Sequence, residues 1–138
     1  MRLRPLAETD RGPVFEQTLA RRRRGEVEVV VAELDGRVVG RMGLDFTTFD
    51  EPGVVELVAG HVDPAHRSRG IGTALIEHME RIAAERGYSV VELRVERTNE
   101  RARKLYARLG YELYAAELEE RDGTCWRMRK QLEQVSDT

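Results

Sequence analysis

Apolar positions along the chain fall into runs with two different periods. Val27 to Leu34 and Arg37 to Phe46 are β-branched runs separated by Asp35-Gly36, a two-residue pair that favours a hairpin. Val54 to Val62 carries Val, Leu or Ala on both alternating faces, the mark of a central strand covered on both sides. Ile71, Ala74, Leu75, Met79, Ile82 and Ala83 then recur at helical spacing, which predicts a helix over 70–86 that stops at Gly87. Ser89 to Val95 reads as a strand. Asn99 to Leu109 reads as a helix with Ala102, Leu105, Tyr106 and Leu109 on one stripe, closed by Gly110. Tyr111 to Leu118 and Thr124 to Leu132 predict a last hairpin around Asp122-Gly123. At the other end, Met1 to Leu6 alternates weakly as a short strand. Asp10 is a candidate cap for a helix over 11–24, whose one side carries Val14, Phe15, Thr18 and Leu19.

This order, β, α, ββ, β, α, β, α, ββ, implies a parallel crossover in the middle and antiparallel pairs at the flanks. The expected fold class is α+β in three layers, a mixed sheet of about six or seven strands with helices on both faces. The 138 residues suit one domain over 1–132, with 133–138 a tail that carries no structural signal. The 23 basic and 25 acidic residues nearly cancel, which argues against general affinity for nucleic acid or membranes. Arg21-Arg-Arg-Arg24 before Gly25 suits the cationic last turn of a helix, and no aromatic residues interleave with it as in a nucleic-acid patch. Cys125 is the single cysteine, so no internal disulfide forms. No signal-type apolar core lies in 1–20, and no run approaches the ~20 apolar residues of a membrane span. A soluble, cytoplasmic protein is expected.

Arg67-Ser-Arg-Gly-Ile-Gly72 stands between the apolar strand and a helix. Gly70 and Gly72 let a ligand approach the backbone, and the helix start turns several N–H groups toward one spot, a seat for phosphate. A Rossmann turn would need glycine where Leu75 stands, and the Gly-Lys-Ser/Thr of a P-loop is absent.

Three connected pieces resemble the GCN5-related N-acetyltransferase (GNAT) superfamily. They are Val62-Asp-Pro-Ala-His-Arg-Ser-Arg-Gly-Ile-Gly-Thr-Ala-Leu75, then Leu93-Arg-Val95 followed by Asn99-Glu-Arg-Ala102, then Leu105-Tyr-Ala-Arg-Leu-Gly-Tyr111. The match runs from about residue 54 to 112, and the flanks fit in element order alone. The resemblance implies the GNAT fold, acetyl-CoA as co-substrate and an amine-bearing acceptor. It implies that amides around Arg67, Ser68, Arg69, Gly70, Ile71, Gly72 and Thr73 hold the CoA pyrophosphate. The backbone of Val62 and Asp63 would pair with the pantetheine, and Asn99 and Ala102 would touch that arm. Such pairing needs a gap between the strands at 54–62 and 89–95, and Gly60 suits a bulge that opens it. Homodimerisation through a sheet edge or the C-terminal strands is common in such folds and stays open here.

Periodicity alone makes Tyr106 a core tyrosine; the resemblance implies that it protonates the departing thiolate, a task that a positioned phenol can perform. Asn99 also suits a helix N-cap. Glu56 lies among Val54, Val55, Leu57 and Val58, where a lone carboxylate is reluctant to carry charge, and its spacing to the Arg67 loop resembles that of the family's general base. A water-facing glutamate is the alternative. His61 points away from the face of its neighbour Val62 and reads as packed or exposed, with lining an acceptor pocket or relaying a proton as the alternatives. His66 reads as a loop residue, and His78 as part of a helix stripe. None has metal-ligand company, so no metal is expected. Cys125 reads as a small apolar strand residue.

The expected activity is direct transfer of an acetyl group from acetyl-CoA to a primary amine, with Glu56 and Tyr106 as base and acid. The alternatives are a different acyl-CoA donor, a non-catalytic acyl-CoA sensor, and nucleic-acid binding through the arginine run.

Overall fold

The structure, a computed structural model, describes residues 1–10, 13–115 and 125–133, and of 13–15, 114 and 115 the backbone only. Seven strands form one sheet: β1 (Arg2–Pro5), β2 (Val27–Leu34), β3 (Arg37–Asp45), β4 (Val54–Val62), β5 (Val90–Glu96), β6 (Glu112–Ala115) and β7 (Cys125–Gln131). Their spatial order is β1-β2-β3-β4-β5-β7-β6. Only β4 and β5 run parallel; every other neighbouring pair is antiparallel. Three helices are described: α1 (Pro13–Arg23), α2 (Ile71–Glu85) and α3 (Glu100–Arg108).

The parallel pair exists because α2 carries the chain from the end of β4 back to the start of β5. Ile71, Leu75, Ile76, Met79 and Ala83 make its buried stripe, on a core that includes Met42, Leu44, Val55, Leu57, Val91, Leu93 and Val95. Each of these side chains larger than Ala83 contributes on the order of 1.5–3 kcal/mol by leaving water. The other face of the sheet packs Leu6, Val27, Val29 and Val31 against Leu19 of α1. The three layers expected from the alternation are therefore present.

Some expectations are corrected. The carboxylate of Asp10, the expected cap, accepts two hydrogen bonds from Arg4, at 2.9 and 3.0 Å, and one from the Ala7 N–H at 2.8 Å; residues 11 and 12, where the expected helix would start, lie outside the described residues. The described part of the helix starts at Pro13, whose fixed φ suits a first helical turn. The arginine run ends α1 as expected and is paired: Arg21 with Glu26 and Asp45, Arg22 with Glu28, Arg23 with Glu8, and Arg24 with Glu26. A short 3-10 turn at Pro64–His66 has no counterpart in the sequence reading. The turn at Asp122-Gly123 and the strand ends beside it, along with the side chains of Val14 and Phe15, lie outside the described residues.

Candidate active site

Beta4 and β5 pair only at their beginnings, through Val54↔Val90, Val55↔Val91 and Glu56↔Glu92. Beyond these pairs β4 stays with β3 and β5 stays with β7, so the middle of the sheet opens. A bulge in β4 helps to turn it away: Gly43 faces Val58 and Arg41 faces His61, leaving two β4 residues opposite one of β3. The left-handed residue of the bulge is Ala59, at φ 59°, and not Gly60. Gly60, the other residue of the bulge as expected, has a further use. A Cβ there would stand 3.5 Å from the Tyr106 hydroxyl and 2.9 Å from Met42 Cε, so the bare backbone keeps open the space in front of the phenol.

A cleft of about 590 Å³ runs from this opening between α2 and α3. Of the residues that the sequence proposed for a CoA-type ligand, Val62, Arg67, Ser68, Gly70, Ile71, Gly72, Thr73, Asn99, Ala102 and Tyr106 line it together. Asp63 and Arg69 do not. The backbone of Asp63 is already used, its N–H donating to Val39 and its carbonyl accepting from His66.

The anion seat has a clear local cause. Ser68 and Gly70 are both left-handed, at φ 64° and 81°, and they bring the chain sharply into α2. No side chain caps that helix, and its first internal backbone bond within reach of Gly70 is Ala74 N–H to the Gly70 carbonyl. The amides of 71–73 thus form the unpaired positive end of a helix. Arg101 on α3 donates to Ser68 Oγ at 2.8 Å and ties the seat to the opposite wall. Arg67 donates from Nε to the Val62 carbonyl at 3.1 Å.

Cations dominate the lining. Arg67, Arg101, Lys104 and Arg108 all border the cleft, and no aspartate or glutamate is among its described lining residues. The sequence reading missed Arg101, Lys104 and Arg108, although their spacing beside Ala102 and Leu105 puts them on neighbouring turns of one helix. It also missed Met42 and Ile76, which tertiary packing brings to the wall.

Tyr106 lines the cleft half-buried, and burial raises its phenol above the ordinary value of 10, so it holds its proton at neutral pH. Asn99 caps α3 as expected, Oδ1 accepting from the Ala102 N–H at 3.1 Å. His61 and His66 also line the cleft. Among the described residues no group of His, Cys, Asp and Glu could hold a metal ion.

Glu56 is not a cleft-lining residue. It is 5% exposed, and its carboxylate is not alone: Oε1 accepts from Thr48 at 2.9 Å and Oε2 from Arg94 at 3.2 Å. It sits at the last paired position before the strands part. Its neighbours in the register, Asp45 and Glu92, share its face, turned away from α2 and α3.

Comparison with known proteins shows the family and the fold. The model of the acetyltransferase (GNAT) family matches residues 3–111. An uncharacterized N-acetyltransferase of Archaeoglobus fulgidus is 42% identical over 96 residues, 67% of this chain and 63% of the relative. A second uncharacterized N-acetyltransferase, from Methanocaldococcus jannaschii, is 39% identical over 93 residues, 65% of this chain and 41% of the relative. The chain thus spans less than two thirds of either relative. The PaiA N-acetyltransferase of Thermoplasma acidophilum, solved in complex with coenzyme A, shares the fold at a TM-score of 0.72 and 19% identity, over 86% of this chain and 69% of that one.

Proposed function

Because the chain belongs to the acetyltransferase (GNAT) family, we propose that it binds acetyl-CoA in the cleft and transfers the acetyl group directly to a primary amine. One observation carries the reading. In a chain with a formal charge of −2, four cations and an uncapped helix start line one cleft that leads to a half-buried phenol. A long polyanion with a reactive far end fits such a wall, and a protein of the same fold solved with coenzyme A supports that reading.

In this reading the amides of 71–73, with Arg67 and the backbone of Ser68, hold the pyrophosphate. The pantetheine runs along Val62 and meets Asn99 and Ala102; Arg67 leaves the Val62 carbonyl to make room, while Asp63, whose backbone is bonded to Val39 and His66, takes no part. The amine nitrogen forms its bond to the thioester carbon as the carbon–sulfur bond breaks. Backbone N–H groups beyond the bulge of β4 stabilise the oxyanion. Tyr106 gives its proton to the sulfur. Glu56 takes the amine proton through water at the point where β4 and β5 part, since its carboxylate lies on the sheet face opposite the cleft. Holding donor and amine together supplies much of the rate, so no covalent enzyme intermediate is needed. The single cysteine suits a reducing compartment, and the cytoplasm is the proposed place of action.

The test is acetyl-CoA titration followed by CoA release across peptide, polyamine and aminoglycoside amines. The reading expects saturable acetyl-CoA binding and release that depends on one acceptor class. Absence of acetyl-CoA binding overturns it.

A further inference from the structure

We infer that Met42 and Gly60 together set the length of the acyl group that this cleft accepts, admitting acetyl-CoA and excluding butyryl-CoA and longer straight-chain donors. The inference rests on the donor reading above. In that reading the sulfur must come within reach of the Tyr106 hydroxyl, so the acyl group lies beside the phenol. The Tyr106 hydroxyl is 3.5 Å from the position of a Cβ on Gly60, and Met42 Cε is 2.9 Å from the same position. The phenol and the methionine methyl therefore flank one small volume, which stays open because residue 60 has no side chain.

Behind that volume the wall is core. Met42 is 4% exposed, and Ile76, which also lines the cleft, is fully buried. Both belong to the main apolar cluster with Leu44, Leu57 and Leu75. A close-packed interior has no slack for further methylenes. Methionine is unbranched and adaptable, so its terminal methyl can yield a little; the branched Ile76 and the strands behind it cannot. The cleft accordingly grades donors by length, with acetyl best accommodated, propionyl weakened and butyryl rejected.

The experiment is calorimetric titration of the whole chain, without acceptor, using CoA, acetyl-CoA, propionyl-CoA and butyryl-CoA. Affinity is expected to fall about tenfold or more for each methylene beyond acetyl. Met42→Ala is expected to bring butyryl-CoA to within about threefold of acetyl-CoA while CoA affinity stays unchanged. Gly60→Ala, whose new methyl displaces only the end of the Met42 side chain, is expected to weaken acetyl-CoA about tenfold relative to CoA. Should Met42→Ala fail to fold, Met42→Val retracts the wall beyond the γ position with a smaller loss of volume. Equal affinity of the unaltered protein for acetyl- and butyryl-CoA overturns the inference while leaving the donor reading intact. So does an unchanged donor ranking in a folded Met42 variant. Failure of CoA itself to bind removes the donor reading, and this inference with it.

Discussion

Tyr106 and Tyr111 meet across the end of α3, their ring centroids 5.7 Å apart and their planes at 69°. The backbone arranges the meeting. Gly110 turns left-handed at φ 99°, its N–H donates to the Ala107 carbonyl at 3.1 Å, and the Tyr111 N–H donates to the Tyr106 carbonyl at 3.0 Å. This double bond pattern is a Schellman ending, and it normally brings just these two side chains together. Tyr111 is anchored in turn: its hydroxyl donates to Glu80 at 2.8 Å, and Lys130 donates to both oxygens of Glu80. The phenol at the cleft thus leans on a buried, charged network.

Tyr106→Phe removes the proton donor but not the ring. It is expected to lower kcat by about a hundredfold, the lower range for a positioned general acid, with acetyl-CoA affinity within twofold of the parent. Because burial raises the phenol, the parent should show no alkaline loss of kcat from this group below about pH 10. Steady-state kinetics with calorimetric binding checks both. Unchanged turnover in the variant ends the assignment of Tyr106 as acid.

Tyr111 links the same network to stability. Burial, followed by the nearby charge of Glu80, raises its phenol far above the ordinary value of 10. Above that pH the unfolded chain releases a proton that the folded chain keeps, so stability falls as pH rises. Tyr111→Phe should flatten the decline of Tm between about pH 9.5 and 11.5. Equal slopes for parent and variant would contradict the coupling.

Glu56→Gln tests the proposed base. If Glu56 collects the amine proton, kcat/KM falls about a hundredfold near pH 7. The deficit shrinks as pH approaches about 10, where a lysine-type amine begins to lose its proton without help. A constant ratio across the pH profile would mean that the loss comes from structure, because Glu56 also accepts from Thr48 and Arg94.

The cations of α3 should act through the donor alone. Replacing Arg101, Lys104 and Arg108 together by alanine is expected to weaken acetyl-CoA about ten- to a hundredfold and to flatten the dependence of binding on salt. Folding should be retained, since Arg101, Lys104 and Arg108 are not buried. Titration at two ionic strengths measures both effects; an unchanged salt dependence would remove these side chains from the phosphate seat.

Glu92 makes the strongest stability prediction. It is 1% exposed, and its two oxygens accept from Arg127 and Arg129, the latter at 2.7 Å from Nη2. Glu92→Ala leaves two partly buried guanidiniums side by side and should cost about 3–5 kcal/mol. Denaturant unfolding reads the value, and a cost below about 1 kcal/mol would show that the pair is screened like a surface bridge.

The sequence by itself determined most elements and their type, because period and punctuation are local properties. Strands Val27–Leu34 and Val54–Val62 appear with the expected ends, and Asp35-Gly36 makes the tight turn with both residues at positive φ. It also pointed to the Arg67 loop, Asn99 and Tyr106, because glycine placement, helix capping and a residue motif are all written over short stretches. Only the tertiary structure decided what long-range packing controls. It set Ala59 rather than Gly60 as the left-handed residue, since the register with β3 fixes where β4 must gain a residue. It gave Glu56 a partner 38 positions away in Arg94, which spacing along one strand cannot reveal. It brought Met42 to the phenol, because a side chain's neighbours across a sheet depend on strand order, and strand order is settled by which faces the whole chain can bury together.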